Sequence, residues 1–366
     1  MYNNRKHWTQ VLLFAALLGM LFISAIGKPD LTISQSERRP LQQFPKLSGD
    51  TLRSGSFMKA FDEYSVDQFP FREAFRSLHA SVVTSLFRQS DQDGLYLKDS
   101  HVIAMEYPLQ TDSLAHASDI FQAICERNLK GTSGNLYLSI IPDKSYFLQN
   151  DSSYLTLDYN KLVQTMRSSN PQLQYIDITH LLDLEDYYKT DPHWKQERLL
   201  PVAKELANAM DVSLPITYEE QTSSTPFFGA YAGQSARPLS PDTLHYLWNP
   251  QLSDYRVFDH QNQKEIPVYD TRRFTGRDPY EAFLSGPLSY ITIENPKAST
   301  TKELVIFRDS FASPLAPLLA SGYQKITLLD IRYLPSKMVE RYITFNDQDV
   351  LFLYSTSVLN HSETLK

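Results

Sequence analysis

Residues 11–26 form an uncharged, apolar run, with Arg5, Lys6 and Trp8 before it and Lys28, Pro29 and Asp30 after it. Sixteen helical residues rise about 24 Å, slightly under the roughly 30 Å hydrocarbon core of a bilayer. Trp8, Thr9 and Gly27 extend the run to a marginal span. The pattern therefore predicts a signal anchor or transmembrane helix over 1–28. The positive flank places the N-terminus in the cytoplasm and the remainder outside. Ala25-Ile26-Gly27 is a small-x-small cleavage pattern, so two outcomes stay open: an anchored protein, or a secreted one if the segment is removed.

Residues 29–56, rich in Pro, Ser, Arg and Gln, read as an extended linker. Helical spacing then begins. Phe57, Phe61 and Tyr64 share one face, Leu78, Val82 and Leu86 another, and Gln68-Phe69-Pro70-Phe71 separates the two helices expected over 57–88. A polar turn, Ser90-Asp91-Gln92-Asp93-Gly94, precedes a short strand at 95–97. From about residue 115 helices and strands alternate. Helices are expected at 117–128, 159–167, 195–210 (with Pro201 as a kink), 311–319 and 337–342. Strands are expected at 135–141, 173–178, 288–293, 303–307, 325–329 and 350–354, and residues 215–285 read as an irregular insertion. Short, almost continuously apolar strands between helices predict an α/β domain with a parallel sheet covered on both faces. Function in such sheets gathers at loops after the carboxyl ends of the strands.

Composition narrows the classes. The 366 residues suit one large or two ordinary domains, and 42% hydrophobic with 21% charged residues argues against disorder and against a multi-span membrane protein. With 35 Lys and Arg against 42 Asp and Glu, the net charge is −7 and no basic block exists, which disfavours nucleic acid as a partner. One cysteine, Cys125, excludes an intramolecular disulfide framework and a multi-cysteine metal site. His7, His79, His101 and His116 are scattered without metal-ligand spacing, and no Gly-rich phosphate loop occurs. Asp62 and Glu63 read as a wet helix face rather than a glycosidase pair.

Two loops carry possible chemistry. Thr190-Asp191-Pro192-His193-Trp194 holds a carboxylate and an imidazole two residues apart, and Arg308-Asp309-Ser310-Phe311 places a serine where a strand runs into a helix. Each has an ordinary reading, as a helix-capping turn and as an N-cap. Together they supply a nucleophile (Ser310), a base (His193) and an orienter (Asp191).

With these motifs the chain resembles the DHHW family, membrane-anchored bacterial proteins related to the SGNH-hydrolase-like proteins that O-acetylate alginate. Matching segments recur in order: Ser36-Glu37-Arg38-Arg39-Pro40-Leu41, Asp67-Gln68-Phe69-Pro70-Phe71-Arg72, Ile141-Pro142-Asp143-Lys144-Ser145-Tyr146, Tyr188-Lys189-Thr190-Asp191-Pro192-His193-Trp194, Phe227-Phe228-Gly229-Ala230-Tyr231, Leu329-Asp330-Ile331-Arg332-Tyr333 and the Tyr354-Ser355…Asn360-His361-Ser362 ending. The resemblance implies an SGNH-hydrolase-like (flavodoxin-like) core over 57–366, with 57–90 and 215–285 as additions. It puts the catalytic Asp, His and Ser of the alginate-acetylating relatives on Asp191, His193 and Ser310. Pro192 stands where the name motif has its first histidine. Pro287, which has no N–H, stands near where many members carry an oxyanion-donating asparagine, so the oxyanion hole would lean on Gly286 and the amide of Ser310 or Phe311.

Lys144 and Tyr146 follow a strand end and would line the cleft. Arg332 either binds an anionic sugar or pairs with Asp330. The resulting expectation is an extracytoplasmic serine acyltransferase or esterase acting on O-acyl, chiefly O-acetyl, groups of a cell-envelope or exported polysaccharide. It would need no dissociable cofactor, and its partners would be a glycan, the membrane and a membrane acyl-donor protein. The alternative is a non-catalytic envelope protein that binds glycan or a protein in a degenerate cleft.

Overall fold

The computed structural model describes residues 2–366 except 88, 90 and 152; the side chains of residues 2–6 and 92 also fall outside that description. Arg88, the expected end of the second helix, Ser90 of the polar turn, and the Arg5 and Lys6 side chains are thus outside it. The chain separates into two compact units, Met1–Asp93 with Ala232–Leu239, and Gly94–Tyr231 with Ser240–Lys366.

The first unit carries the apolar run as helix α1, Tyr2–Gly27. Within it His7–Gly27 is long and apolar enough to cross a membrane, and its side chains are not buried against protein. Helices α2 (Ser56–Asp67) and α3 (Arg72–Ser85) follow as the 57–88 spacing predicts. Phe44 packs edge-on against Phe57, Phe61 and Tyr64, at ring separations of 6.4, 6.1 and 5.2 Å. The stretch before α2 is tied down rather than free. Arg39 donates to both oxygens of Asp67 at 2.9 and 2.6 Å, and the Gln42 amide adds a third bond at 2.8 Å.

The second unit is built on an eight-stranded sheet. In chain order its strands are β1 (Leu136–Ile141), β2 (Gln174–Tyr175), β3 (Arg256–Asp259), β4 (Lys264–Ile266), β5 (Tyr290–Glu294), β6 (Glu303–Arg308), β7 (Lys325–Leu329) and β8 (Asp349–Ser355). The spatial order is β4-β3-β5-β7-β6-β8-β1-β2. From β7 to β2 the ladders are parallel, and β3, β4 and β5 add antiparallel strands. The sheet is therefore mixed. Two of its antiparallel strands come from the stretch expected to be irregular, which also forms the hairpin Glu219–Phe227 with Asp242–Trp248. These strands are hidden because they are short or mostly polar and lack the continuous apolar runs that mark the parallel strands.

Both faces of the sheet are buried, since alternate side chains of each strand enter different cores. Leu304 and Ile306 of β6, with Leu351 and Leu353 of β8, meet α6 (Leu200–Ala209) and α7 (Ala312–Leu319). Val305, Phe307, Val350, Phe352 and Tyr354 face the other way, onto α4 (Thr111–Ile124) and α5 (Tyr159–Ser169). The helix expected at 195–210 begins as a 3-10 turn, and Pro201 sits in the first turn of α6 instead of kinking it. A first-turn proline loses no helical hydrogen bond there. The helix expected at 337–342 is 3-10, over Ser336–Arg341.

Phe352 lies between Phe307 (4.8 Å, near-parallel) and Phe121 (4.6 Å). Phe352→Ala should cost about 3–5 kcal/mol, read as a lower thermal midpoint by circular dichroism. The same truncation at exposed Leu155 should stay within about 0.5 kcal/mol.

Candidate active site

The apolar strand β6 ends at Arg308, and Asp309, Ser310 and Phe311 form the connection into α7. Asp309 is buried and holds this turn: its carboxylate accepts from the Phe311 amide at 3.0 Å and from the Ser355 amide at the end of β8 at 2.8 Å. The serine is left half-buried at the carboxyl end of the central strand.

The second loop is a tight excursion whose ends pair, Tyr187 with Trp194, and whose Tyr188 amide donates to the His193 carbonyl at 3.0 Å. Neighbours brace it from several sides. Asp242 accepts from the Lys189 and Thr190 amides at 2.8 Å each and from the Thr190 hydroxyl at 2.6 Å. The Ala230 amide donates to Asp191 Oδ2 at 2.9 Å. Gly229 lies so close that a Cβ there would fall 2.3 Å from Asp191 Cβ and 2.4 Å from the Thr190 carbonyl. The buried Trp194 indole donates to the Phe311 carbonyl at 2.9 Å and thereby ties the two loops together.

Asp191, His193 and Ser310 are brought into one hydrogen-bonded chain. Asp191 Oδ1 lies 2.6 Å from His193 Nδ1, and His193 Nε2 lies 2.8 Å from Ser310 Oγ. A carboxylate only accepts, so Nδ1 carries the imidazole proton and Nε2 is left to accept from the serine hydroxyl. The ring is also held in plane by a near-parallel Tyr280 at 4.0 Å and by Phe311 at 4.8 Å.

This chain opens on a cavity of about 230 Å³ whose wall includes Glu106, Asp143, Lys144, His193, Tyr231 and Ser310. Lys144 is almost wholly buried and donates to the Tyr188 carbonyl at 3.0 Å, its ammonium 5.0 Å over the Tyr231 ring. Burial pulls its pKa from 10.5 down to about 7, against the opposing pull of Asp191, Asp242 and Asp143. Burial likewise pushes the Glu106 carboxyl up, partly offset by the Ser357 hydroxyl that donates to it at 2.7 Å.

Other expected cleft residues are placed elsewhere or already engaged. Phe311 gives its amide to Asp309, and Gly286, at φ +93°, gives its amide to the Phe283 carbonyl and does not line the cavity. Neither N–H is therefore available to an oxyanion. Tyr146 packs against Phe147 and Tyr159 and lines a different, larger cavity. Arg332 forks onto Asp330 at 2.9 and 2.6 Å; burial opposes its charge, but this pair outweighs it and raises the pKa. Of its two readings, pairing is the one the structure contains. Glu106, Tyr280 and Asp242 carried no local sequence signal, whereas Gly229, Ala230 and Trp194 lie inside the recognised motifs.

The fold is shared with solved structures. A DHHW family protein from Eubacterium siraeum matches with a TM-score of 0.59 at 20% identity, over 75% of this chain and 95% of that one. The chain has the DHHW protein's fold. Bacillus cereus PatB1 with a sulfonyl adduct matches at 0.60 and 18% identity, over 72% and 95%. PatB1 itself matches at 0.57 and 18%, over 72% and 96%. No protein-family model and no curated protein matches this chain. The α/β core with a central, largely parallel sheet expected from the sequence is thus present.

Two outcomes follow from the packing. Gly229→Ala should lower stability by about 1–3 kcal/mol and abolish the downfield proton resonance shared by Asp191 and His193 in NMR spectra. Folded Lys144 releases its proton near pH 7 while the unfolded lysine keeps it to about 10.5. The unfolded state then binds the extra proton, so stability rises with pH through that window. Urea midpoints at pH 7 and 9 should show this rise in the wild type and its loss in Lys144→Met.

Proposed function

We propose that the protein is an extracytoplasmic serine acyltransferase or esterase that acts on O-acetyl groups of a cell-envelope polysaccharide through Asp191, His193 and Ser310. The observation that carries the reading is the unbroken Asp191–His193–Ser310 hydrogen-bond chain, at 2.6 and 2.8 Å, facing a cavity. The apolar helix α1 supports a membrane-anchored, outward-facing placement. The motif resemblance to alginate-acetylating proteins supports acetyl and polysaccharide, and a volume of about 230 Å³ suits a small acyl group.

In the first half-reaction Ser310 Oγ attacks the acyl carbonyl carbon as its proton passes to His193 Nε2. Asp191 steadies the imidazolium through Nδ1. His193 returns that proton to the donor's leaving oxygen, the carbonyl–oxygen bond to the donor breaks, and acyl-Ser310 remains. A sugar hydroxyl or water then gives its proton to His193 and attacks the acyl carbon, and Ser310 is restored with the proton. Among the described residues the Ser310 amide is not hydrogen-bonded to another group of the protein, which leaves it to serve the oxyanion. A membrane protein would deliver the acyl group from the cytoplasmic side.

The commitment of the Phe311 and Gly286 amides favours a second reading, a glycan-binding protein without catalysis. Phenylmethylsulfonyl fluoride separates the two, a probe chosen because PatB1 is known with a sulfonyl adduct. The full-length chain in detergent should gain one sulfonyl group, and Ser310→Ala none, by intact mass. Turnover of p-nitrophenyl acetate should fall roughly 10⁴–10⁶-fold in Ser310→Ala and His193→Ala. Equal labelling of wild type and Ser310→Ala, with unchanged turnover, would contradict the enzyme reading.

A further inference from the structure

The first unit is polar inside and apolar outside. Among the described residues, the buried side chains of α2 and α3 are Asp67 and Ala80, while Phe44, Met58 and Phe71 are 58%, 55% and 63% exposed. Asp67 is held by Arg39 and by the Gln42 amide. Buried Gln68 donates to the Leu31 carbonyl at 2.8 Å and accepts from the Leu31 amide at 3.0 Å. Single exposed apolar residues are ordinary, but large apolar groups gathered on one small unit mark contact with a membrane or another protein.

A groove beside α1 decides between them. Its volume is about 820 Å³, and it is lined both by Leu18, Phe22 and Ile26 of α1 and by Phe44, Phe61 and Phe69. The α1 residues belong to His7–Gly27, the stretch long and apolar enough to cross a membrane. Leu18 to Ile26 rise about 12 Å along the helix axis, most of the roughly 15 Å that one leaflet contributes to the hydrocarbon core. Side chains that share a cavity with Leu18 therefore sit at leaflet depth, beyond the reach of soluble proteins. Two contacts fasten them there: the Tyr64 hydroxyl donates to Asp30 at 3.0 Å, and Gln68 clasps the Leu31 backbone.

The groove also has a polar end. Lys28 and Asp30, just past the last turn of α1, are part of its lining. Asp30 is engaged by Tyr64, and Lys28 supplies the cation that a lipid phosphate would meet. An apolar slot headed by a cation matches a phospholipid, with the acyl chain below and the phosphate above. A membrane-spanning protein could reach the same depth, but lipid is the occupant that anchoring itself supplies. We propose that this groove seats an acyl chain of an outer-leaflet phospholipid, with its phosphate at Lys28, so that α2 and Phe44 lie within the leaflet rather than above it. The proposal rests on the anchored reading of α1 and is independent of the triad.

Photolabelling tests the site. The full-length protein is placed in nanodiscs of phosphatidylethanolamine and phosphatidylglycerol that contain a phosphatidylglycerol with a diazirine in its acyl chain. After irradiation, peptide mapping by mass spectrometry should find lipid adducts on residues 57–69 as well as on 11–20. Ala25 is exposed and lines the groove; Ala25→Trp fills that space and should cut the 57–69 adducts roughly threefold. Lys28→Gln, which keeps the groove open, should lower them roughly two- to fivefold. Both variants should keep the 11–20 adducts and wild-type sulfonylation of Ser310. Adducts on 11–20 without any on 57–69 would overturn the groove, and two chains per disc by native mass spectrometry would then name a second copy as its occupant. Adducts on 57–69 unchanged in both variants would also overturn it. Absence of adducts from both regions would remove the anchored reading and the groove with it, whereas loss of Ser310 sulfonylation alone would count only against the acyl-transfer reading.

Discussion

The site depends on one buried carboxylate. Asp191 is 1% exposed, and an ionised carboxylate in such surroundings is tolerable only when its oxygens are hydrogen-bonded. The His193 amide, the His193 imidazole and the Ala230 amide meet that need at 3.2, 2.6 and 2.9 Å. Each donor also fixes geometry. The imidazole can satisfy Asp191 only in the tautomer and orientation that turns Nε2 toward Ser310, and Ala230 can reach Oδ2 only because residue 229 is a glycine. Satisfying Asp191 and orienting the His193 ring toward Ser310 are thus the same event.

Around this centre the polar network extends inward rather than toward water. Thr190 receives the Gly229 amide and donates to Asp242, and Lys144 holds the carbonyl of Tyr188 from behind. A half-satisfied network of this kind is costlier than an apolar core, so the residues hold one another in register. The serine side follows the same logic at lower cost: Asp309 bonds the turn to β8, and Trp194 closes the gap between loops. The sheet contributes direction. Its parallel strands β6 and β8 end at the same edge, so the turns after them converge without long connections.

Much of this was legible in the chain. Strands β1, β6, β7 and β8 are runs of apolar residues because both of their faces are covered, and such runs stand out. The spacing of Asp191 and His193 and the position of Ser310 after β6 pointed to one another for chemical reasons. What sequence could not show is settled by contacts between distant residues. Asp242 reaches Thr190 across some fifty positions, and β3 joins the sheet by pairing with β5 rather than by any pattern of its own. The Phe311 amide looked free for an oxyanion until Asp309 was seen to hold it. Arg332 likewise looked equally ready for a sugar or a carboxylate, and its position beside Asp330 decided between them.

The central claim is that Ser310 becomes acylated. The most direct measurement is peptide mapping by mass spectrometry of the full-length protein mixed with p-nitrophenyl acetate and quenched in acid. The account predicts a single acetyl group, located on Ser310. Acetylation found only on other residues, with Ser310 unmodified while the ester is consumed, would contradict it.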